Sequence, residues 1–316
     1  MFYRSANLII TSSVMGCLAI VAVALRLWAG AVRKMRRGVE DILIIIGLIL
    51  ALGLCICNIV GAALFQLGND ESSLDSLNLT YNLKIFYVIQ LLHATAMPVI
   101  KASFMLFLRR IFGHMRAFRL AFWIVGVYVF LWWLTTFWMT VFQCWPISES
   151  WSEEMEGCIP NFWTWYSWAA LLNVVSDVAI ITIPIPFVWR LQMSLQQRLV
   201  TLSVLTTAMI VIIAGIGRTV TYFTYIHDLL PFDALYHVSI WTSIEPCLGV
   251  VGCCLPTLGP LVDLKYGAIY SKTKSILSWQ SVLGKSASEA SGSRSGQRTA
   301  WVELINERHN QSEPMV

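Results

Sequence analysis

Five ionisable side chains fall inside long apolar runs of this 316-residue chain: His93, Lys101, Asp177, Arg218 and Glu245. A charge at the centre of a hydrocarbon layer costs at least about 2.5–3.5 kcal/mol on insertion scales, so such residues turn inward and pair. Two acids, two bases and a histidine can hold a polar ligand, pass an ion or proton, or act as acid and base on one bound substrate. The same five can also do no chemistry and only set the register of packed helices. Residue type leaves that choice open.

Depth along the expected helices suggests the partners. Arg218 lies about five residues from the outer end of the sixth helix and Glu245 about seven residues into the seventh, so the two share a layer. Asp177 lies about fourteen residues into the fifth helix and Lys101 about eighteen into the third. At 1.5 Å per residue that offset is about 6 Å, within reach of a lysine side chain. His93 falls between the layers, and Asn58, Gln90 and Asn173 can join either. Arg26 and Lys84 sit at membrane ends, where long basic side chains are expected to reach for the headgroups. Pro98, Pro246 and Pro256 each remove a helix hydrogen bond, and Pro246 directly follows Glu245.

The stretch from Gln143 to Leu191 carries the other informative residues. Cys144 and Cys158 are the only cysteines in a predicted outer loop. In an oxidising compartment they are expected to form a disulfide that holds the loop across the mouth of the bundle. Cys253-Cys254 reads as small-residue packing, with no His or acid at ligand spacing beside it, so no metal site is expected. The chain has no phosphate-binding glycine loop, no His-Glu-x-x-His, no Gly-x-Ser-x-Gly, no redox dithiol and no haem signature. No catalytic residue is assigned, and the chain is not expected to be an enzyme.

The elements that must position these residues follow from composition. The chain is 57% hydrophobic and 13% charged, against about 45–50% and about 25% in soluble domains. That deficit of charge fits a surface facing lipid. Seven windows, at about 7–29, 41–66, 83–108, 120–142, 163–188, 199–223 and 238–262, can each span a hydrocarbon core as a helix. The expected fold is therefore all-α: a polytopic membrane protein whose seven transmembrane helices fill residues 1–262. Residues 263–316, rich in Ser, Gly and charge, are expected to form a largely disordered tail.

Basic residues cluster in alternate loops: Arg33 to Arg37, then Arg109, Arg110, Arg116 and Arg119, then Arg190 and Arg198, then the tail. The loops at 144–162 and 224–237 contain no Lys or Arg. Positive residues stay inside, which predicts an outer N-terminus and a cytoplasmic C-terminus. The outer loops carry Asp70, Glu71, Asp75, Glu149, Glu153, Glu154 and Glu156. They also hold the sequon Asn78-Leu79-Thr80, a predicted glycosylation site on Asn78. Basic residues confined to short loops argue against nucleic acid as a partner. The expected location is multi-pass in a membrane, the plasma membrane rather than an internal one.

Seven helices invite comparison with retinal proteins, which need a Schiff-base lysine in the last helix. No Lys lies between Phe232 and Leu264, so retinal is not expected, and no other cofactor is implied. The motifs do resemble one family. Glu40-Asp41 opens the second helix. Lys101-Ala102-Ser103 runs on to Arg110-Ile111-Phe112. Gln143-Cys144-Trp145-Pro146, Trp151 and Cys158 shape an outer loop. Asp177 is followed by Pro184, Pro186, Trp189 and Leu191. Arg218 marks the sixth helix, and Trp241, Glu245, Gly249, Pro256-Thr257-Leu258 and Pro260-Leu261 the seventh. Together these resemble the fungal rhodopsin-like integral membrane proteins, a group that includes the satratoxin-cluster membrane protein and receptor-like proteins linked to pathogenicity. The chain departs from that pattern at the outer end of helix two. There Gln66-Leu67-Gly68-Asn69-Asp70 replaces the usual Gly-x-Gly-x-His run.

The resemblance implies a seven-helix membrane protein, many of whose relatives are encoded among secondary-metabolite genes. The leading expectation is a receptor-like sensor of a small metabolite, with a cytoplasmic signalling partner and the lipid bilayer as surroundings. A metabolite transporter or export helper, a membrane-bound biosynthetic enzyme and a purely structural role remain open beside it. For the sensor, the expected site is an outer pocket lined by His93, Arg218 and Glu245.

Overall fold

The structure, a computed structural model, describes residues 2–32, 38–67, 76–152, 157–160, 162–186, 195–224 and 235–255. The basic run Arg33 to Arg37, the acids Asp70, Glu71, Asp75, Glu153, Glu154 and Glu156, and Trp189 to Leu191 lie outside the described residues. So do the segment from Pro256 onward and the predicted tail. The chain divides into two units, Met1–Pro260 and Leu261–Val316, and the second has no described residue.

Among the described residues seven helices are long and apolar enough to cross a bilayer. They are α1 (Phe2–Val32), α2 (Val39–Leu64), α3 (Ser76–Phe112), α4 (Arg116–Val141), α5 (Phe162–Thr182), α6 (Leu195–Thr224) and α7 (Leu235–Leu255). A 3₁₀ turn covers Ile147–Trp151. The fold is all-α. Large apolar side chains such as Ile10, Ile49, Trp123, Leu131 and Ile213 stay uncovered, as lipid-facing residues do.

Several boundaries differ from the sequence reading for identifiable reasons. At 37 residues, α3 is the longest helix. A helix of that length extends about 55 Å, well past a hydrocarbon core of about 30 Å. Its first turns take in Asn78, which is half-buried in helix and not in a loop as the sequon suggested. Helix α5 stops at Thr182 and a turn occupies Ile183 and Pro184. Pro184 has no N–H, and its ring disfavours helical backbone at the residue before it, so the apolar run to 188 does not continue as one helix.

Packing places α7 at the centre and α4 at the rim. In its spanning window 67% of α7 is buried, against 17% of α4. One apolar cluster joins α1, α2, α3 and α7 through Ala19, Ile44, Leu54, Ile89, Ala96 and Val250. A second gathers Leu8, Leu83, Trp163, Tyr222 and Val238. A third joins α3, α4 and α5 through Met105, Leu108, Phe118 and Ile180.

The two ends of the bundle are chemically distinct. At one, Cys144 and Cys158 form a disulfide, and Trp145 N and Gly157 O pair at 3.0 Å beside it. Gly157 has φ of +75°, and a Cβ there would lie 2.4 Å from Trp145 O, so glycine is required. Trp151 packs edge-on against Tyr87 of α3 and carries the Lys84 ammonium over its ring at 5.6 Å. The loop is thereby seated on α3. The opposite, basic end exposes Arg109, Arg110, Arg116 and Arg119 around the turn from α3 to α4.

Candidate functional site

The site is built where α3, α5, α6 and α7 face one another. Helix α3 presents His93 and Lys101, α5 presents Asn173 and Asp177, α6 presents Arg218, and α7 presents Glu245. All six side chains are buried. Close helix approach makes this possible. A Cβ on Gly215 of α6 would sit 2.9 Å from Val174 and 3.6 Å from Glu245 Oε1.

Toward the disulfide end, Arg218 Nε lies 2.9 Å from Glu245 Oε2. That contact is an ion pair by distance only, because the N–H is not aligned on the oxygen and Arg218 Nε is left without a hydrogen bond. His93 Nε2 is 3.3 Å from the same carboxylate oxygen, and Arg218 Nη1 is 2.9 Å from His93 Nε2 and 3.0 Å from Nδ1. A tautomer with its proton on Nε2 can donate to Glu245 and leaves Nδ1 to accept from Arg218.

Toward the basic end, Lys101 Nζ lies 2.9 Å from Asp177 Oδ1. The same ammonium donates to the Asn173 carbonyl at 3.0 Å, to Asn173 Oδ1 at 2.7 Å and to Ser176 Oγ. It also lies 5.6 Å from the centre of the Trp132 ring. Three protons thus face four acceptors, and this lysine has none to spare.

Asn173 joins the two groups. Its Nδ2 donates to Glu245 Oε1 at 2.5 Å while its Oδ1 receives Lys101. The structure therefore brings all five ionisable residues into one contiguous network, with Arg218 beside Glu245 and Lys101 beside Asp177. Asn173 is the member that sequence reasoning named only as a possible addition. Gln90 donates to Tyr222 OH at 2.7 Å on the flank of this network. Asn58 does not join it: it donates to Ser243 Oγ at 2.6 Å, and Ser243 also meets Ser12 at 3.1 Å, in a separate layer between α1, α2 and α7.

Each end of the network borders a cavity. At the basic side a cavity of about 60 Å³ is walled by Met97, Ile100, Phe104, Ile180 and Val211, with Lys101 and Asp177 as its charged groups. Asp177 Oδ2 is buried and has no hydrogen-bond partner among the described residues. At the disulfide side a cavity of about 20 Å³ is bordered by Gln90, His93, Tyr166, Arg218 and Tyr222. Arg218, which borders it, has Nε and Nη2 buried without a hydrogen-bond partner among the described residues. The expected outer pocket is thus one water in size and lacks Glu245, which is wholly enclosed. The roomier space lies deeper, at the second ion pair. Glu245 is held by Asn173 at Oε1 and by Arg218 at Oε2.

Arg26 corrects the sequence reading. It does not reach for the headgroups. Its side chain is 4% exposed, with Nε and Nη2 at 3.0 and 2.9 Å from Asp41 Oδ1 and Nη1 donating to the Cys253 carbonyl at 2.5 Å. Close by, Arg110 Nη1 lies 2.8 Å from Glu40 Oε1, and Ser103 Oγ donates to the Glu40 carbonyl at 2.7 Å. The signal was present in the acidic pair that opens α2, which supplies one carboxylate to each arginine. Lys84 stays exposed over aromatic rings. Among the described residues no three His, Cys, Asp or Glu side chains converge as metal ligands would.

Comparison with known proteins covers most of this architecture. The fungal rhodopsin domain matches residues 25–264. The chain is 27% identical over 202 residues to a SAT4 family membrane protein of Emericella nidulans, covering 62% of this chain and 49% of that one. It is 26% identical over 135 residues to a polyenoic acids biosynthesis gene cluster protein of Metarhizium anisopliae, covering 39% and 36%. It is 23% identical over 271 residues to the phomoidride biosynthesis cluster protein H of a fungal species, covering 78% and 84%. The chain therefore spans about half the length of the first of these relatives and about a third of the second. No solved structure matches.

Proposed function

The chain belongs to the fungal rhodopsin family, and we propose that within it the protein is a receptor-like sensor of a small metabolite, tied to secondary-metabolite biosynthesis. In this reading the disulfide end faces outward from the plasma membrane and the basic end meets a cytoplasmic signalling partner. The residues of the network bind and respond, and they perform no catalysis. Two relatives carry biosynthetic clusters in their names, which supports the metabolic setting.

One observation carries the reading: the unbroken line of contacts from Arg218 through Glu245, Asn173 and Lys101 to Asp177, with a cavity at each end. Coupling between two sites needs an element with two discrete arrangements that both sites bias. A chain of shared partners is such an element. A ligand that takes one acceptor changes which partner the lysine and the asparagine keep. The expected response is a repacking of α3 against α5 and α7, felt at the exposed arginines where α3 ends.

Metabolite and transcript profiling of cells with and without the gene tests this. Loss of a set of secondary metabolites together with lowered transcription of their genes is the expected result. Intracellular build-up of those products with unchanged transcription would favour export, and no change in either would remove the sensor reading.

A further inference from the structure

We propose that the cavity beside Asp177 takes a neutral molecule that is apolar apart from one hydroxyl, and that the hydroxyl donates to Asp177 Oδ2. This names the ligand class of the sensor site proposed above and rests on that reading.

The side chain of Asp177 is 10% exposed, and its two oxygens differ. Oδ1 is held by Lys101 at 2.9 Å, while Oδ2 is buried with no partner among the described residues. A buried acceptor without a donor is costly, so a small rotation of the carboxyl that brings Oδ2 to the adjoining cavity is favoured when that cavity holds a donor. Lys101 cannot supply it. Its three protons already serve Asn173 O, Asn173 Oδ1, Ser176 Oγ and Asp177 Oδ1.

Charge then narrows the donor. Asp177 and Glu245 are offset by Lys101 and Arg218 within one contact network. An added cation would leave that dry region with a net charge, and an added anion would face the carboxylate. A neutral donor disturbs neither balance. An amide would also bring a carbonyl, and among the described residues the charged wall has no free N–H to receive it. A hydroxyl makes the smaller demand.

Shape gives the remainder of the ligand. Apart from Lys101, Asp177 and Thr207, the wall is built of apolar and small residues, among them Phe104, Ile180, Val211 and Gly249. The volume of about 60 Å³ exceeds the roughly 10–15 Å³ needed for one water and falls short of the roughly 150 Å³ of a benzene-binding cavity. A short-chain alcohol fits, or the hydroxyl-bearing end of a longer molecule.

The test uses the full chain in lipid nanodiscs and a diazirine-bearing short-chain alcohol as photoprobe, with cross-links mapped by mass spectrometry. The methyl ether and the primary amine of the same probe form the comparison arms. The expected result is saturable labelling around Ile180 and Val211, at least fivefold stronger for the alcohol than for ether or amine. It should fall at least fivefold in Ala208→Leu, which narrows the cavity and leaves every charge in place, and in Asp177→Asn. Equal labelling by alcohol and ether, strongest labelling by the amine, or non-saturable labelling of lipid-facing residues would each overturn the proposal. A lone water at Asp177 would give no saturable labelling and has the same consequence. Labelling as expected with unchanged metabolite profiles keeps the ligand class and removes the sensor reading. Failed labelling with altered profiles does the reverse.

Discussion

Asn173 Nδ2 donates to Glu245 Oε1 across 2.5 Å, with both side chains wholly enclosed. This neutral amide is the link between two ion pairs that would otherwise stand apart, because its other face receives Lys101.

Replacing the amide should uncouple the pairs. Asn173→Leu strands one oxygen of Glu245 and takes one of its four acceptors from Lys101, and is expected to cost about 1–3 kcal/mol. A double-mutant cycle between Lys101→Met and Glu245→Gln should give a measurable coupling energy with Asn173 present and close to none with leucine there. Thermal unfolding in detergent reads both.

Removing one ion should hurt more than removing two. Glu245→Gln leaves the Arg218 guanidinium buried without its counter-charge, a change expected to cost about 3–5 kcal/mol. Combining it with Arg218→Met removes the stranded charge, and at least half of the lost stability should return. Equal losses in the single and double variants would mean that the pair contributes by shape alone.

The Arg26 site depends on a planar fork. One nitrogen pair grips Asp41 while Nη1 reaches the Cys253 carbonyl. A lysine cannot hold both partners from one ammonium, so Arg26→Lys is expected to lose about 1–3 kcal/mol. Asp41→Asn should lose a similar amount, and the two losses should not add. Melting temperatures of the three variants decide this.

At the other end, Cys144→Ser or Cys158→Ser should each cost about 2–4 kcal/mol by freeing the loop in the unfolded chain. Gly157→Ala should destabilise even with the disulfide intact. Its φ of +75° disfavours a side chain, and the new Cβ would meet Trp145 O at 2.4 Å. Gel mobility without reductant, read beside the melting temperature, separates strain at residue 157 from loss of the cross-link.

Much of the fold was legible because hydrocarbon imposes strict terms: long apolar runs, helices alone, and polar residues turned inward. The meeting of Arg218 with Glu245 and of Lys101 with Asp177 was readable too, since rise per residue converts sequence position into depth. Lateral neighbours were not. Asn173 looked like any other polar residue in an apolar run, and only the facing of α3, α5 and α7 makes it a junction. The size of the larger cavity was equally hidden, because it depends on how closely Gly249 and Gly252 let neighbouring helices approach. Arg26 was misread for a related reason. Its depth placed it at a membrane end, whereas Asp41, in the first turn of α2, lies against it.

That contact bears on how the chain is made. Arg26 and Asp41 are only 15 positions apart, whereas the Cys253 carbonyl lies 227 positions away from the arginine. During synthesis α1 and α2 can therefore enter the bilayer together as a hairpin with Arg26 already paired, long before the last helix emerges. One guanidinium nitrogen stays uncommitted until α7 arrives. Its capture then locks the first helix against the seventh.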